Sequence, residues 1–105
     1  MKLTQMQKDE SILNMARGLN GARRATLIFT RPFILKPVAT AKYMLKLFKD
    51  DKELLCKIVC HMMVGCHNEL VGKETQQKRV STAIQKYFPM KLERGGILPK
   101  IRLLN

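Results

Sequence analysis

The chain has 105 residues, with 20 Lys plus Arg against 8 Asp plus Glu and a formal net charge of +12. That length suits one domain spanning 1–105, and 46% hydrophobic residues exclude a wholly disordered basic tail, which lacks the apolar content to bury a core. No apolar run approaches the roughly 20 residues of a membrane span; the longest, Ile58 to Cys66, is interrupted by His61.

The first segment, MKLTQMQKDESIL, carries acids where a signal peptide needs an apolar core, so secretion is not expected. Thr4 can cap a helix over about 5–17, with Ile12, Leu13, Ala16 and Leu19 at helical spacing. Gly18, Asn20 and Gly21 stop it. ATLIF, residues 25–29, reads as a short strand that Pro32 breaks or confines to an edge. Pro37 suits the first turn of a second helix over 37–49 that buries Val38, Ala41, Leu45 and Phe48. Asp50 with Glu53 three residues later marks the start of a helix over 51–70. Its middle is apolar on nearly every side, which predicts a buried central element that Gly65 kinks or divides and Gly72 ends.

Thr75 opens a fourth helix to Phe88, in which Val80, Ala83, Ile84, Tyr87 and Phe88 form one apolar face. Pro89 stops it. The remainder reads as two short strands joined around Gly95 and Gly96, with Lys100, Ile101, Arg102 and Leu103 alternating as a half-exposed strand does. The expected fold is therefore α+β and mostly helical: about four helices, a strand near 25–29 and a C-terminal hairpin. Within the single domain, 1–36 is a basic helix and strand, 37–88 a helical core and 89–105 the hairpin.

Charge is unevenly spread. Residues 1–49 hold ten Lys or Arg against Asp9 and Glu10, a net of +8, and residues 72–105 hold eight against Glu74 and Glu93, a net of +6. The stretch between them nets −2. A pI near 10.1 favours a polyanionic partner, because neutralised phosphates release condensed counterions. A membrane partner is not expected, since no segment is a basic helix with an aromatic face.

The fourth helix carries the functional expectation. Opposite its apolar face stand Gln76, Gln77, Lys78, Arg79, Ser81, Thr82, Gln85 and Lys86, with no acid after Glu74. Gln can pair with adenine, Arg and Lys with guanine, Ser and Thr with either, and a helix fits the DNA major groove. An apolar helix, a turn, a basic polar helix and a basic hairpin follow in the order of a winged helix-turn-helix. The segment RVSTAIQKYF resembles the recognition helix of winged repressors in its apolar spacing and Val–Ser step. That resemblance covers about residues 66–103. It implies that the helix reads DNA while Lys91, Arg94, Lys100 and Arg102 of the hairpin touch phosphates. The connection from Leu70 to Val80 is longer than that pattern usually has, and the preceding helix is long. Arg23, Arg24, Arg31 and Lys36 form a secondary basic patch. RNA stays open: double-stranded RNA read by shape needs no exposed aromatics. For Phe29 and Phe33, beside that patch, burial is favoured over base stacking.

Cys56, Cys60, Cys66, His61 and His67 crowd into twelve residues. On one helix Cys56, Cys60 and His67 share a face with Met63, which reads as a packed stripe rather than a metal site, because no second ligand pair follows. An odd cysteine count points to an intracellular, reducing compartment. No catalytic constellation assembles, since neighbours such as Cys60 and His61 point about 100° apart on a helix. The sequence thus predicts a non-enzymatic nucleic-acid-binding protein without cofactor or metal, with DNA favoured over RNA and room for a homodimer. The alternative is a small basic interaction or inhibitor protein that binds an acidic surface of another protein.

Overall fold

The computed structural model describes residues 2–93 and 100–104. Among them the fold is α+β and mostly helical: α1 (Gln5–Arg17), α2 (Gly21–Leu35), α3 (Pro37–Leu47), α4 (Lys52–Glu69), α5 (Glu74–Tyr87), then β1 (Met90–Glu93) and β2 (Lys100–Leu103). No helix among the described residues is long and apolar enough to cross a membrane.

Helix α1 opens on the expected cap: the Gln7 amide donates to Thr4 Oγ1 at 3.1 Å, and the Thr4 amide to Gln7 Oε1 at 2.9 Å. Ala16 is its buried residue, with Ile12, Leu13 and Met15 partly covered. Leu19, expected on the buried face, is 85% exposed. It follows the helix, in the turn where the backbone leaves helical phase.

The largest departure from the sequence reading is α2. Residues 25–29 are helical and not a strand, and the helix runs through Pro32 to Leu35. Among the described residues there are therefore five helices rather than four. Its buried residues, Gly21, Ala25, Thr26, Phe29, Thr30 and Phe33, recur at helical spacing. Two apolar members of ATLIF, Leu27 and Ile28, point outward instead. The buried threonines are tolerated because each hydroxyl donates back one turn, Thr26 to the Ala22 carbonyl and Thr30 to the Thr26 carbonyl, both at 2.8 Å. Gly21 is required by contact: a Cβ there would lie 1.9 Å from the Ala16 carbonyl oxygen. This helix is also the central element, packed against α1, α3, α4 and α5, a position the sequence assigned to residues 50–71.

Pro37 ends α2. The residue before a proline is pushed out of helical dihedrals, and Lys36 has φ −138° and ψ 74°. The break between α2 and α3 is therefore a single residue. The Pro32 carbonyl accepts from the Lys36 amide at 2.7 Å and from Thr40 Oγ1 at 3.1 Å, fastening the end of α2 to the start of α3. Helix α3 buries Pro37, Thr40, Ala41 and Met44; Val38, expected inside, is exposed, and Leu45 is half-buried. Phe48, just beyond α3, is buried as expected, edge-on to Phe29.

Helix α4 is capped by Asp51 rather than Asp50, its carboxylate accepting from the Leu54 amide at 3.3 Å. It is not buried all round. Leu55, Ile58, Val59, Met62 and Cys66 face the core, while Lys57, His61, Met63 and Val64 face outward. Gly65 does not divide it; a Cβ there would meet Thr30 Oγ1 at 3.2 Å, so the residue sets the close approach of α4 to α2. A turn through Gly72 leads to α5. After α5 the chain pairs antiparallel, Met90 with Leu103, Lys91 with Arg102, Leu92 with Ile101 and Glu93 with Lys100. Buried Leu103 and a Cys56 thiol to Ile101 carbonyl contact of 3.5 Å dock β2 on α4. The expected Gly95–Gly96 turn lies outside the described residues.

Candidate nucleic-acid interface

The site is built on α5. Val80, Ala83 and Ile84 are buried with Phe88 beyond the helix end, and Tyr87 is half-buried. The helix begins one residue before Thr75, after Lys73, and no side chain caps it. Gln76, Lys78, Arg79, Ser81, Thr82, Gln85 and Lys86 are exposed and Gln77 is half-buried.

That outer face is divided between two grooves. On the α3 side Lys78, Arg79, Thr82 and Lys86 line a groove of about 690 Å³, whose opposite wall is Lys36 and the first turn of α3. Among the described residues lining it there is no acid. The first-turn amides of Val38 and Ala39 have no intrahelical acceptor, and Lys36 supplies no side-chain cap. The wall therefore presents the positive end of a helix dipole beside four cationic side chains. The Lys86 ammonium also lies 5.4 Å from the Tyr87 ring centroid.

On the α4 side Gln77, Ser81 and Gln85 line a smaller groove, about 280 Å³, together with Met63 and His67. Charged groups thus sit on one flank of α5 and neutral amides and a hydroxyl on the other. Sequence spacing fixes which residues face outward, but not which neighbour each flank meets.

Of the secondary basic patch, Arg23 stands apart. Lys36 joins the α5 groove. Arg23 lies instead in a cleft of mixed charge with Arg17, Asp51, Glu53, Lys57 and His61; the Arg17 Nε to Asp51 Oδ2 distance is 3.9 Å. Arg24 and Arg31 are exposed on α2, seven residues apart and so on one face. On the hairpin, Lys91 and Arg102 stand directly opposite each other and are exposed. Lys100 pairs with Glu93 in register, and Arg94 lies outside the described residues. The Val38 and Ala39 amides were missed in the sequence, although Lys36-Pro37 was a visible signal for a helix start there.

The packed stripe on α4 needs correction. Cys56 and Cys66 are buried and Cys60 is half-buried, but Met63 and His67 are exposed. The covered face runs through Met62 and Cys66, one position from the expected line. Burial pushes the Cys66 thiol up to about 11, with Glu69 adding to the shift. Burial and then the neighbouring Cys56 raise Cys60 likewise. Neither thiol is poised as a thiolate nucleophile at neutral pH. Phe29 and Phe33 are both buried, Phe29 against Tyr43 and Phe48, Phe33 against Phe88. Neither offers a stacking surface.

Comparison with family models, curated proteins and solved structures finds no match to this chain.

Proposed function

We propose that this protein is a non-catalytic nucleic-acid-binding protein that takes duplex DNA in preference to RNA. The observation that carries the reading is the convergence of Lys36 with Lys78, Arg79 and Lys86 on one groove with no acid among the described residues of its lining. Cations from two segments some 40 residues apart make a continuous anionic track more favourable than any one segment would. The dipole of α3 adds to it. Duplex DNA is preferred because the Gln and Ser side chains of α5 suit base edges in an open major groove, whereas A-form RNA closes that groove to side chains. The order α4, turn, α5, hairpin supports a winged layout, in which α5 reads the bases and Lys91, Arg94, Lys100 and Arg102 meet the backbone.

The test is anisotropy titration of a labelled duplex at low and physiological salt. Affinity falls steeply with salt, and Arg79→Ala, which melts like the parent, binds more weakly. A flat salt response refutes the reading.

A further inference from the structure

A second groove, on the other side of the first turn of α3, has different chemistry. It measures about 460 Å³, and α1, α2 and α3 form its walls through Ile12, Ile28, Pro32, Leu35, Ala39 and Tyr43. Its lining is almost wholly apolar, and among the described residues Lys36 is the one charged residue in it. Leu35 is 65% exposed and Ile28 38%. Two apolar side chains so placed, with an exposed proline between them, leave a strip of α2 unpartnered.

From this groove we infer that the protein docks an acidic amphipathic helix of a partner protein there. Three observations select that occupant. First, Ile28, Pro32 and Leu35 stand at i, i+4 and i+7 on α2, and Lys36, Ala39 and Tyr43 at i, i+3 and i+7 across the α2–α3 junction. Each strip is about 10 Å long, two helical turns. It matches the i, i+4, i+7 anchors of a helix laid in a groove. Second, the walls are helices, and the Pro32 carbonyl at their junction already accepts twice. An extended peptide would therefore find no strand edge to pair with. Third, the exposed charges beside the groove are basic: Arg24 and Arg31 on α2, Lys36 at the junction, Lys42 and Lys46 on α3. Among the described residues the one acid held against this rim is Asp9 on α1, bonded by the Tyr43 hydroxyl and by Gln5 Nε2, and the nearby Lys46 ammonium offsets its charge. Acidic residues flanking the apolar anchors would meet that rim with complementary sign.

The apolar anchors Ile28 and Leu35 line this groove and not the α5 groove, so peptide binding can be tested in the absence of nucleic acid. The probe is a labelled synthetic peptide of about 18 residues with Leu at i, i+4 and i+7 and Glu elsewhere, titrated against the full chain by anisotropy. One control keeps its composition but scatters the Leu around the helix; another replaces Glu by Lys. The first peptide binds, and both controls bind at least about tenfold more weakly. Leu35→Asp and Ile28→Asp each lower its affinity by about tenfold or more. Val71→Asp, an exposed apolar position beyond α4, leaves it unchanged, and Leu35→Asp still binds duplex DNA. Because Leu35 and Ile28 are surface residues, equal melting of these variants and the parent establishes that they fold. Equal binding of the scattered peptide, or full affinity in Leu35→Asp, overturns the inference. So does a dimer that sediments as a monomer only in Leu35→Asp, since a second copy then fills the groove. Leu35-dependent binding to phosphatidylserine vesicles without peptide binding overturns it as well.

Discussion

Four cations lining one groove give a number for the salt dependence of binding. Neutralising one phosphate of a duplex contributes about −0.9 to the slope of log affinity against log salt concentration. Lys36, Lys78, Arg79 and Lys86 together therefore contribute about −3.6. Between 50 and 200 mM salt, that share alone weakens binding by roughly 150-fold. Each single alanine substitution makes the slope shallower by about one unit, and the quadruple variant loses nearly all of this share. All four side chains are exposed, so folding stability changes little. Lys86 is the exception, since its contact with Tyr87 is worth about 0.5–1 kcal/mol. Arg23→Ala is the control. Its cleft holds Asp51 and Glu53, so the slope does not change. The assay is anisotropy titration of a duplex at four or more salt concentrations, with melting curves for each variant. A quadruple variant that keeps the parent slope would refute the groove as the phosphate track, as would an Arg23 effect equal to that of Lys36.

Gly65→Ala gains about 0.5–1 kcal/mol of helix propensity, but its Cβ meets Thr30 at 3.2–3.3 Å; overpacking at about 1–3 kcal/mol wins and urea midpoints fall. In a Thr30→Ala background the same change becomes stabilising, and an unchanged sign would refute the contact. Pro32→Ala restores an amide to the interior of α2 and raises unfolding free energy by about 1–3 kcal/mol in urea titration. Burial and then the Asp9 carboxylate push Tyr43 up to about 12, so its neutral form stabilises the fold fully below pH 10, and that contribution is lost as pH rises through 12. In Tyr87→Phe, which leaves Tyr43 as the one tyrosine, phenolate absorbance has its midpoint near 12; adding Asp9→Asn lowers the midpoint without returning it to 10, because burial remains. The Tyr43 hydrogen bond, with that from Gln5, holds Asp9 below its usual value, so this clasp between α1 and α3 weakens as pH falls through the carboxylate's folded value.

Local chemistry made most of the helices readable. Thr4, Pro37 and Pro89 mark boundaries through capping or through the missing proline amide, and α5 keeps a clear helical period. Helix α2 was hidden for two physical reasons. Five residues of ATLIF suit a strand or a helix turn equally, and periodicity over so short a run cannot separate them. Pro32 then looks like a terminator, yet an exposed proline is tolerated here because the buried stripe of Ala25, Phe29 and Phe33 outweighs its cost. Beside that stripe Thr26 and Thr30 are also buried, which a polar–apolar pattern counts as surface. Their bonds back to Ala22 and Thr26 are what allow them inside. In the interface the outward residues of α5 followed from spacing alone. Its division into a cationic and an amide flank depends on where α3 and α4 lie, which no local pattern states.

Pro37 links the two proposed sites. By disfavouring helical dihedrals at Lys36, it breaks the helix there in a single residue. The Lys36 side chain is left on the ridge between the apolar groove and the cationic one, and it lines both. One ammonium group cannot neutralise a phosphate and a carboxylate at full strength together. Occupation of the apolar groove by an acidic helix therefore weakens nucleic-acid binding, and by linkage nucleic acid weakens the helix to the same extent. Direct repulsion between the peptide carboxylates and the phosphates adds to the competition for Lys36. In Lys36→Ala the antagonism is therefore smaller than in the parent but not zero. The measurement is duplex titration with and without saturating peptide in both proteins. Antagonism that persists undiminished in Lys36→Ala would show that the coupling runs through some other route, such as a shift of α3 against α2.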